Sequence, residues 1–192
     1  MASRPRRLTA LATAAIALVG ALQVAHGVWI YAKAELAQVL LERAWRRTLS
    51  GEPAAKPWPW ADTFPVALLS APAQHVKVYV LAGSSGRTLA FGPGHEDGTP
   101  LPGEPGNSVI GGHRDTHLAF LRQVRRGDVL SVERRDGSRV DYRVTMLDVL
   151  DRRDTWVMRN DGHTRLTLVT CWPFDALRAG GPQRYVVIAQ AI

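Results

Sequence analysis

The pattern of apolar and polar positions changes character three times along the chain. From about Leu8 to Ile30 the residues are almost continuously apolar, with Gln23 and His26 as polar interruptions near the far end. A run of that length can cross a bilayer as a helix, so residues 8–30 are expected to form a transmembrane anchor behind a basic tail at residues 1–7. From Ala32 to Thr48 the apolar positions thin to Leu36, Val39, Leu40 and Ala44, at three- and four-residue steps, while Glu35, Glu42, Arg43, Arg46 and Arg47 fall elsewhere. This spacing predicts an amphipathic stalk helix over 31–50, stopped by Gly51. Residues 51–75 hold four prolines before Leu68, with Trp58 and Trp60 among them. That composition predicts a semi-rigid linker whose aromatic side chains tuck against the following domain.

Beyond Val76 the period becomes two: Val76, Val78 and Val80 alternate with Lys77 and Tyr79, and Ser84-Ser85-Gly86 turns the chain into a further run, Arg87 to Phe91. Val129 to Arg134 and Val140 to Val149 flank Asp136-Gly137, a strong hairpin signal. Thr155 to Met158, Thr164 to Cys171 and Tyr185 to Ala191 read as more short strands, and His117 to Val124 as a short helix. Many short strands separated by turn residues imply a mainly β domain over 76–192, an antiparallel sandwich or closed barrel.

The chain carries 192 residues and a net charge of +7, which raises nucleic acid as a partner. The positive residues, however, cluster at Arg4, Arg6 and Arg7 and at Arg43, Arg46 and Arg47, flanking the apolar run rather than alternating with aromatics on a strand. That placement points to a membrane surface and away from nucleic acid. A cleaved signal peptide, with Leu8 to Leu22 as its apolar region and Ala25-His26-Gly27 as its cleavage site, competes with the anchor. The helical pattern continuing past the span favours an uncleaved anchor, and both readings export the rest. The expected arrangement is a single pass through the cytoplasmic membrane with the β domain outside, although Lys33, Arg43, Arg46 and Arg47 weaken the charge bias.

Cys171, the only cysteine, ends the run Thr167-Leu168-Val169-Thr170-Cys171 just before Trp172-Pro173. A lone thiol is commonly a small buried hydrophobe. In an exported chain, an unpaired cysteine at a strand end is instead a flag for reactivity. His113 lies in a Gly111-Gly112-His113 turn, and Arg184 opens the last apolar run. If the strands ending at Cys171 and beginning at Arg184 pair as neighbours, they are antiparallel and both residues lie at one end of the sheet.

Three other chemistries fit poorly. His113 and His117 have the spacing of a zinc-protease helix, but Arg114 stands where the glutamate base belongs, and no third ligand is evident. A phosphate-binding thiol loop needs inward-pointing amides, whereas Trp172-Pro173-Phe174-Asp175 brings bulk, a missing donor and a carboxylate. His113-Arg114-Asp115 echoes a kinase catalytic loop without its nucleotide loop or strand lysine. Cysteine acyl transfer needs a thiolate, an imidazole to exchange protons and a fixed cation for charge developing on the carbonyl. Cys171, His113 and Arg184 are those types.

The region from about Val76 to the C-terminus resembles a sortase, the cysteine transpeptidase family of cell surfaces. The motifs are Thr167-Leu168-x-Thr170-Cys171, Gly112-His113, and an arginine about a dozen residues after the cysteine at a strand start, Arg184. Phe91-Gly92-Pro93-Gly94-His95, Gly112 to His117 and Cys171 to Asp175 are similar to the Gram-negative branch, class GN. The resemblance implies a closed eight-stranded β-barrel. It also implies a substrate protein with a C-terminal LPxTG-like sorting signal, a thioacyl-enzyme on Cys171, and an amine acceptor. His113 becomes the acid and base, Arg184 the substrate and oxyanion ligand, and Thr170 a contact to the peptide. His117 is read as structural, Asp115 and Asp175 stay outside the catalytic set, and no metal or other cofactor is expected. The competing classes are a non-catalytic anchored barrel that binds a partner through its basic surface, and a redox-sensing thiol.

Overall fold

The computed structural model describes residues 4–178 and 180–192, with side chains from residue 9 onward. The expected basic tail therefore lies outside the described residues at 1–3, and so do the side chains of Arg4, Arg6 and Arg7. The chain divides into a unit of residues 1–39 and a unit of residues 40–192. Helix α1 is Arg4–Leu49. Its part in the first unit contains an apolar window with no buried residues, long enough to cross a membrane. Inside that unit, the Lys33 ammonium lies 4.9 Å from the Trp29 ring.

In the second unit the last turns of α1 bury Leu41, Ala44, Trp45 and Thr48. The stripe expected on Leu36, Val39, Leu40 and Ala44 is thus shifted: Leu36 and Val39 are exposed. Both phases satisfy helical spacing, and the large surface of Trp45 makes burying its face the more favourable choice. The helix closes where Gly51 was expected to stop it. Gly51 adopts φ +97°, its N–H bonds the Thr48 carbonyl at 3.0 Å, and the Glu52 N–H bonds the Arg47 carbonyl at 3.1 Å, the Schellman pattern that a left-handed glycine permits.

The barrel begins earlier than expected. Strand β1, Pro65–Ala71, lies inside the predicted linker. Its proline is the first strand residue, where a missing N–H is tolerated. Ala55, Ala61 and Thr63 ahead of it are buried, and the Thr63 hydroxyl bonds the Ala82 carbonyl at 2.8 Å. Trp58 packs edge-on against Phe91, with ring centroids 4.9 Å apart, while Trp60 stays exposed.

The remaining strands are β2 (Val76–Ala82), β3 (Gly94–His95), β4 (Asn107–Gly112), β5 (Val129–Arg134), β6 (Arg139–Asp151), β7 (Arg165–Cys171) and β8 (Gln183–Ala191). They close into an eight-stranded barrel in the order β1-β2-β3-β4-β7-β8-β6-β5. The closed barrel agrees with the expectation, but its strands are not all antiparallel: β2 pairs with β3, and β4 with β7, in parallel. Three local readings also change. Gly86–Leu89 is a single α-helical turn, α2, capped by the Ser85 hydroxyl, while Thr155–Met158 and Ala119–Gln123 are 3₁₀ turns.

The interior is filled by Leu69, Val80, Ile110, Leu130, Val132, Tyr142, Leu166, Leu168 and Val187. Tyr142 is wholly buried, and its hydroxyl accepts the Gly103 N–H at 2.9 Å; burial pushes its phenol pKa up. The Phe91-to-His95 motif is a packing device. A Cβ on Gly92 would lie 2.9 Å from the Tyr79 carbonyl oxygen, and one on Gly94 only 2.2 Å from that of Gly83. Because both obstacles are backbone, Gly94→Ala should cost about 3 kcal/mol or more, read as a lower midpoint in denaturant unfolding at unchanged slope.

Candidate active site

Strands β4, β7 and β8 are neighbours, and their register positions the three candidate residues His113, Cys171 and Arg184. Gly112 pairs with Thr170 across the parallel β4–β7 ladder, and His113 and Cys171 are the next residues on each strand. Across the antiparallel β7–β8 ladder, Cys171 pairs directly with Arg184. His113, Cys171 and Arg184 therefore end three adjacent strands at one end of the barrel. They also share a face. Ile110, Leu166, Leu168 and Val187 point into the core. Because side chains alternate, Val109, Gly111 and His113 on β4, Val169 and Cys171 on β7, and Arg184 and Val186 on β8 turn outward.

That outer face carries a cavity of about 250 Å³, lined by Val109, Gly111, Leu150, Val169, Val186 and Arg184 from the strands and by Val157 and Met158 from the chain that covers them. Glu96, Asp151 and Asp154 supply carboxylates at its walls. The Arg153 side chain bonds Asp151 at 2.8 Å and holds its carboxyl down to about 2, so Asp151 remains ionised at ordinary pH. The covering segment is tied down by Asn107. Its amide donates to the carbonyls of Val157 at 2.7 Å and Arg159 at 3.2 Å, and its oxygen accepts the Thr167 hydroxyl at 2.7 Å.

Cys171 is half-buried and His113 exposed. The His113 carbonyl accepts the Leu118 N–H at 3.1 Å, closing the turn behind it. Arg184 donates from Nη1 to the carbonyls of Gly181 and Gln183, each at 2.9 Å. Thr170, expected to contact the peptide, lies next to the thiol on β7. It has the parity of Leu168, is 2% exposed, and its hydroxyl donates to the Gly112 carbonyl at 2.7 Å. On the core side of β7 it ties together the strands that end in His113 and Cys171. Among the described residues, no group of three His, Cys, Asp or Glu side chains is placed to hold a metal.

Further side chains shape the site. Arg114 is 6% exposed and its Nη2 donates to the carbonyls of Ala176 at 2.9 Å and Arg178 at 2.7 Å, clamping the β7–β8 loop. Trp172 and Phe174 of that loop form a ring cluster with Tyr185 of β8, centroids 5.2 to 5.6 Å apart, and the Arg122 guanidinium sits 5.2 Å from the Phe174 ring. Neither Arg114 nor Asn107 is singled out by the sequence alone. The available signal was parity, since Arg114 continues the inward series Ile110 and Gly112, where an arginine needs buried partners.

A closed barrel with a thiol, an imidazole and a guanidinium at the ends of three adjacent strands defines a class of β-barrel thiol proteins. The Sortase domain family model matches residues 69–192, and the chain belongs to the sortase family. It is 26% identical to sortase D of Bacillus subtilis over 126 residues, covering 65% of this chain and 63% of that protein, so it spans less than two thirds of that relative's length. Among solved structures it is similar to Clostridium perfringens sortase D5, described as a transpeptidase, at 26% identity and TM-score 0.60, covering 79% of this chain and 88% of the other. Actinomyces oris sortase C-1 shares 31% identity at TM-score 0.60, covering 67% of this chain and 72% of the other.

Arg114→Ala would leave the Ala176 and Arg178 carbonyls without their charged donor. Charge-assisted bonds of this kind contribute about 1.5–3 kcal/mol. Amide hydrogen exchange across residues 174–178 should therefore accelerate by about tenfold to a hundredfold, with β5 and β6 protected as before.

Proposed function

We propose that this protein is a membrane-anchored cysteine transpeptidase acting on LPxTG-like sorting signals. The observation that carries the reading is the placement of His113, Cys171 and Arg184 on the outer face of three adjacent strands, beside an apolar cavity. Cys171 Sγ attacks the backbone carbonyl of the threonine of the signal, and the carbonyl π pair moves to oxygen, where the Arg184 guanidinium stabilises it. His113 donates its proton to the departing amine as the C–N bond breaks, leaving a thioester on Cys171. An acceptor amine then forms the new amide and releases the thiolate; without one, water hydrolyses the thioester. The apolar floor of the cavity suits the leucine and proline of the signal. The long apolar helix fits a single-pass anchor. We assign it to the cytoplasmic membrane with the barrel outside, and the class GN branch to the wording of the three motif segments.

Incubating the protein with a labelled LPxTG-type peptide should yield a thioester on Cys171, seen as a hydroxylamine-sensitive mass increase. Cys171→Ala should abolish it, and His113→Ala or Arg184→Ala should slow turnover by about 10²-fold or more. Full activity in both the His113 and Arg184 variants would contradict the assigned roles, and no adduct with any sorting peptide would favour a binding barrel.

A further inference from the structure

Resting on the transpeptidase reading, we propose that Glu96 makes the cavity selective for sorting signals that carry a lysine or arginine one or two residues before the leucine. Glu96 follows β3, and its N–H bonds the Val109 carbonyl at 2.9 Å, continuing the β3–β4 ladder past the pair His95 and Ile110. His95 and Ile110 are buried in the barrel, so alternation turns Glu96 outward with Val109, into the wall of the cavity. The half-buried carboxylate is held in place there. The Ser84 hydroxyl donates to its Oε2 at 2.5 Å, and Gly94 leaves room for Ser84, since a Cβ on Gly94 would lie 3.0 Å from the Ser84 Cα. Oε1 accepts no hydrogen bond among the described residues and is not sealed from solvent.

Of the three carboxylates that line the cavity, Glu96 is the one without a cation beside it. Asp151 is bonded by Arg153 at 2.8 Å and also feels Arg152, and Asp154 lies in the field of Arg153. Glu96 forms no ion pair among the described residues. The cation on the opposite wall is Arg184, whose guanidinium is turned to the carbonyls of Gly181 and Gln183. By register it stands four residues along the barrel and three strands across from Glu96. At about 3.3 Å per residue and about 4.8 Å per strand, that is on the order of 20 Å, beyond twice the Debye length of about 8 Å at physiological salt. Glu96 therefore presents an uncompensated negative charge to a peptide in the cavity.

The same spacings set which residue of the signal meets it. Cys171 is two strands from Glu96, on the order of 16 Å away, which an extended peptide covers in four to five residues. Counted back from the threonine whose carbonyl meets Sγ, the third residue is the leucine; the fourth and fifth are those before it. The path between is open. Gly111 lies between His113 and Val109 on the outward face of β4, and a Cβ there would meet nothing within 4 Å. A peptide crossing Gly111 from the thiol brings the side chain before its leucine to Glu96. Val109 and Val157 line the approach and the carboxylate stands at its end, which suits an aliphatic arm tipped with a cation.

The test uses the full chain in detergent and four labelled LPxTG-type peptides. Three carry lysine, norleucine or glutamate at both positions before the leucine; the fourth carries norleucine there and lysine between the proline and the threonine. The readout is kcat/KM for thioester formation on Cys171, taken as a ratio to the norleucine peptide. Lysine before the leucine should be favoured about fivefold, chiefly through KM, and glutamate disfavoured. The advantage should fall below about twofold in about 1 M sodium chloride, where the Debye length is about 3 Å. Glu96→Gln should bring the lysine ratio to within about twofold of one, and Glu96→Lys should invert the preference toward glutamate. Moving the lysine past the proline should forfeit the advantage in the unaltered chain. The salt and relocation arms need only that chain, so they decide the matter even where a variant does not fold. A lysine ratio near one, a ratio that survives both Glu96 variants, or an advantage indifferent to where the lysine stands overturns the proposal, while the thioester on the norleucine peptide upholds the transpeptidase reading. No thioester with any of the four peptides overturns both.

Discussion

The site depends on the register of the β4–β7 ladder, and the bond from the Thr170 hydroxyl to the Gly112 carbonyl stands at its last rung. A strand slipped by one residue presents its other face. Here a slip of β7 would send Cys171 toward the core and Thr170 to the surface, and would part the thiol from both His113 and Arg184. The same rung explains why glycine precedes the histidine: a Cβ on Gly112 would lie 2.8 Å from the buried Leu118 side chain. The three candidate residues are thus held by backbone ladders, which are stiff, while their side chains lie on the outer face.

Around that rigid centre the walls are made of irregular chain, and two buried polar side chains keep them in place. Asn107, at the start of β4, holds the segment that roofs the cavity; Arg114, just past its end, holds the β7–β8 loop. Each saturates backbone carbonyls that a loop leaves unpaired, so burial of the polar group and ordering of the loop are one event. One strand therefore reaches both walls, and β4 links the loop geometry on either side of Cys171.

Much was legible in the sequence where interactions are local. The Asp136-Gly137 hairpin, the left-handed glycine that ends α1, and the strand that Cys171 closes are written in neighbouring residues. The closeness of Cys171 to Arg184 followed as well, because a short loop between antiparallel neighbours returns the chain to the same end of the sheet. The chemistry of acyl transfer added His113 to that pair, and the family resemblance chose the closed barrel over a sandwich.

What the sequence could not decide were the choices made between distant segments. The proline-rich composition of residues 51–75 concealed β1, since a strand's partners leave no trace in its own residues. The parallel pairing of β4 with β7 joins strands more than fifty residues apart, and only that pairing places His113 beside Cys171. Local spacing allowed two phases for the end of α1 and two faces for Thr170; which side became the core was decided by what each element packs against. Residue types and alternation determined the available chemistry, and tertiary pairing determined where that chemistry points.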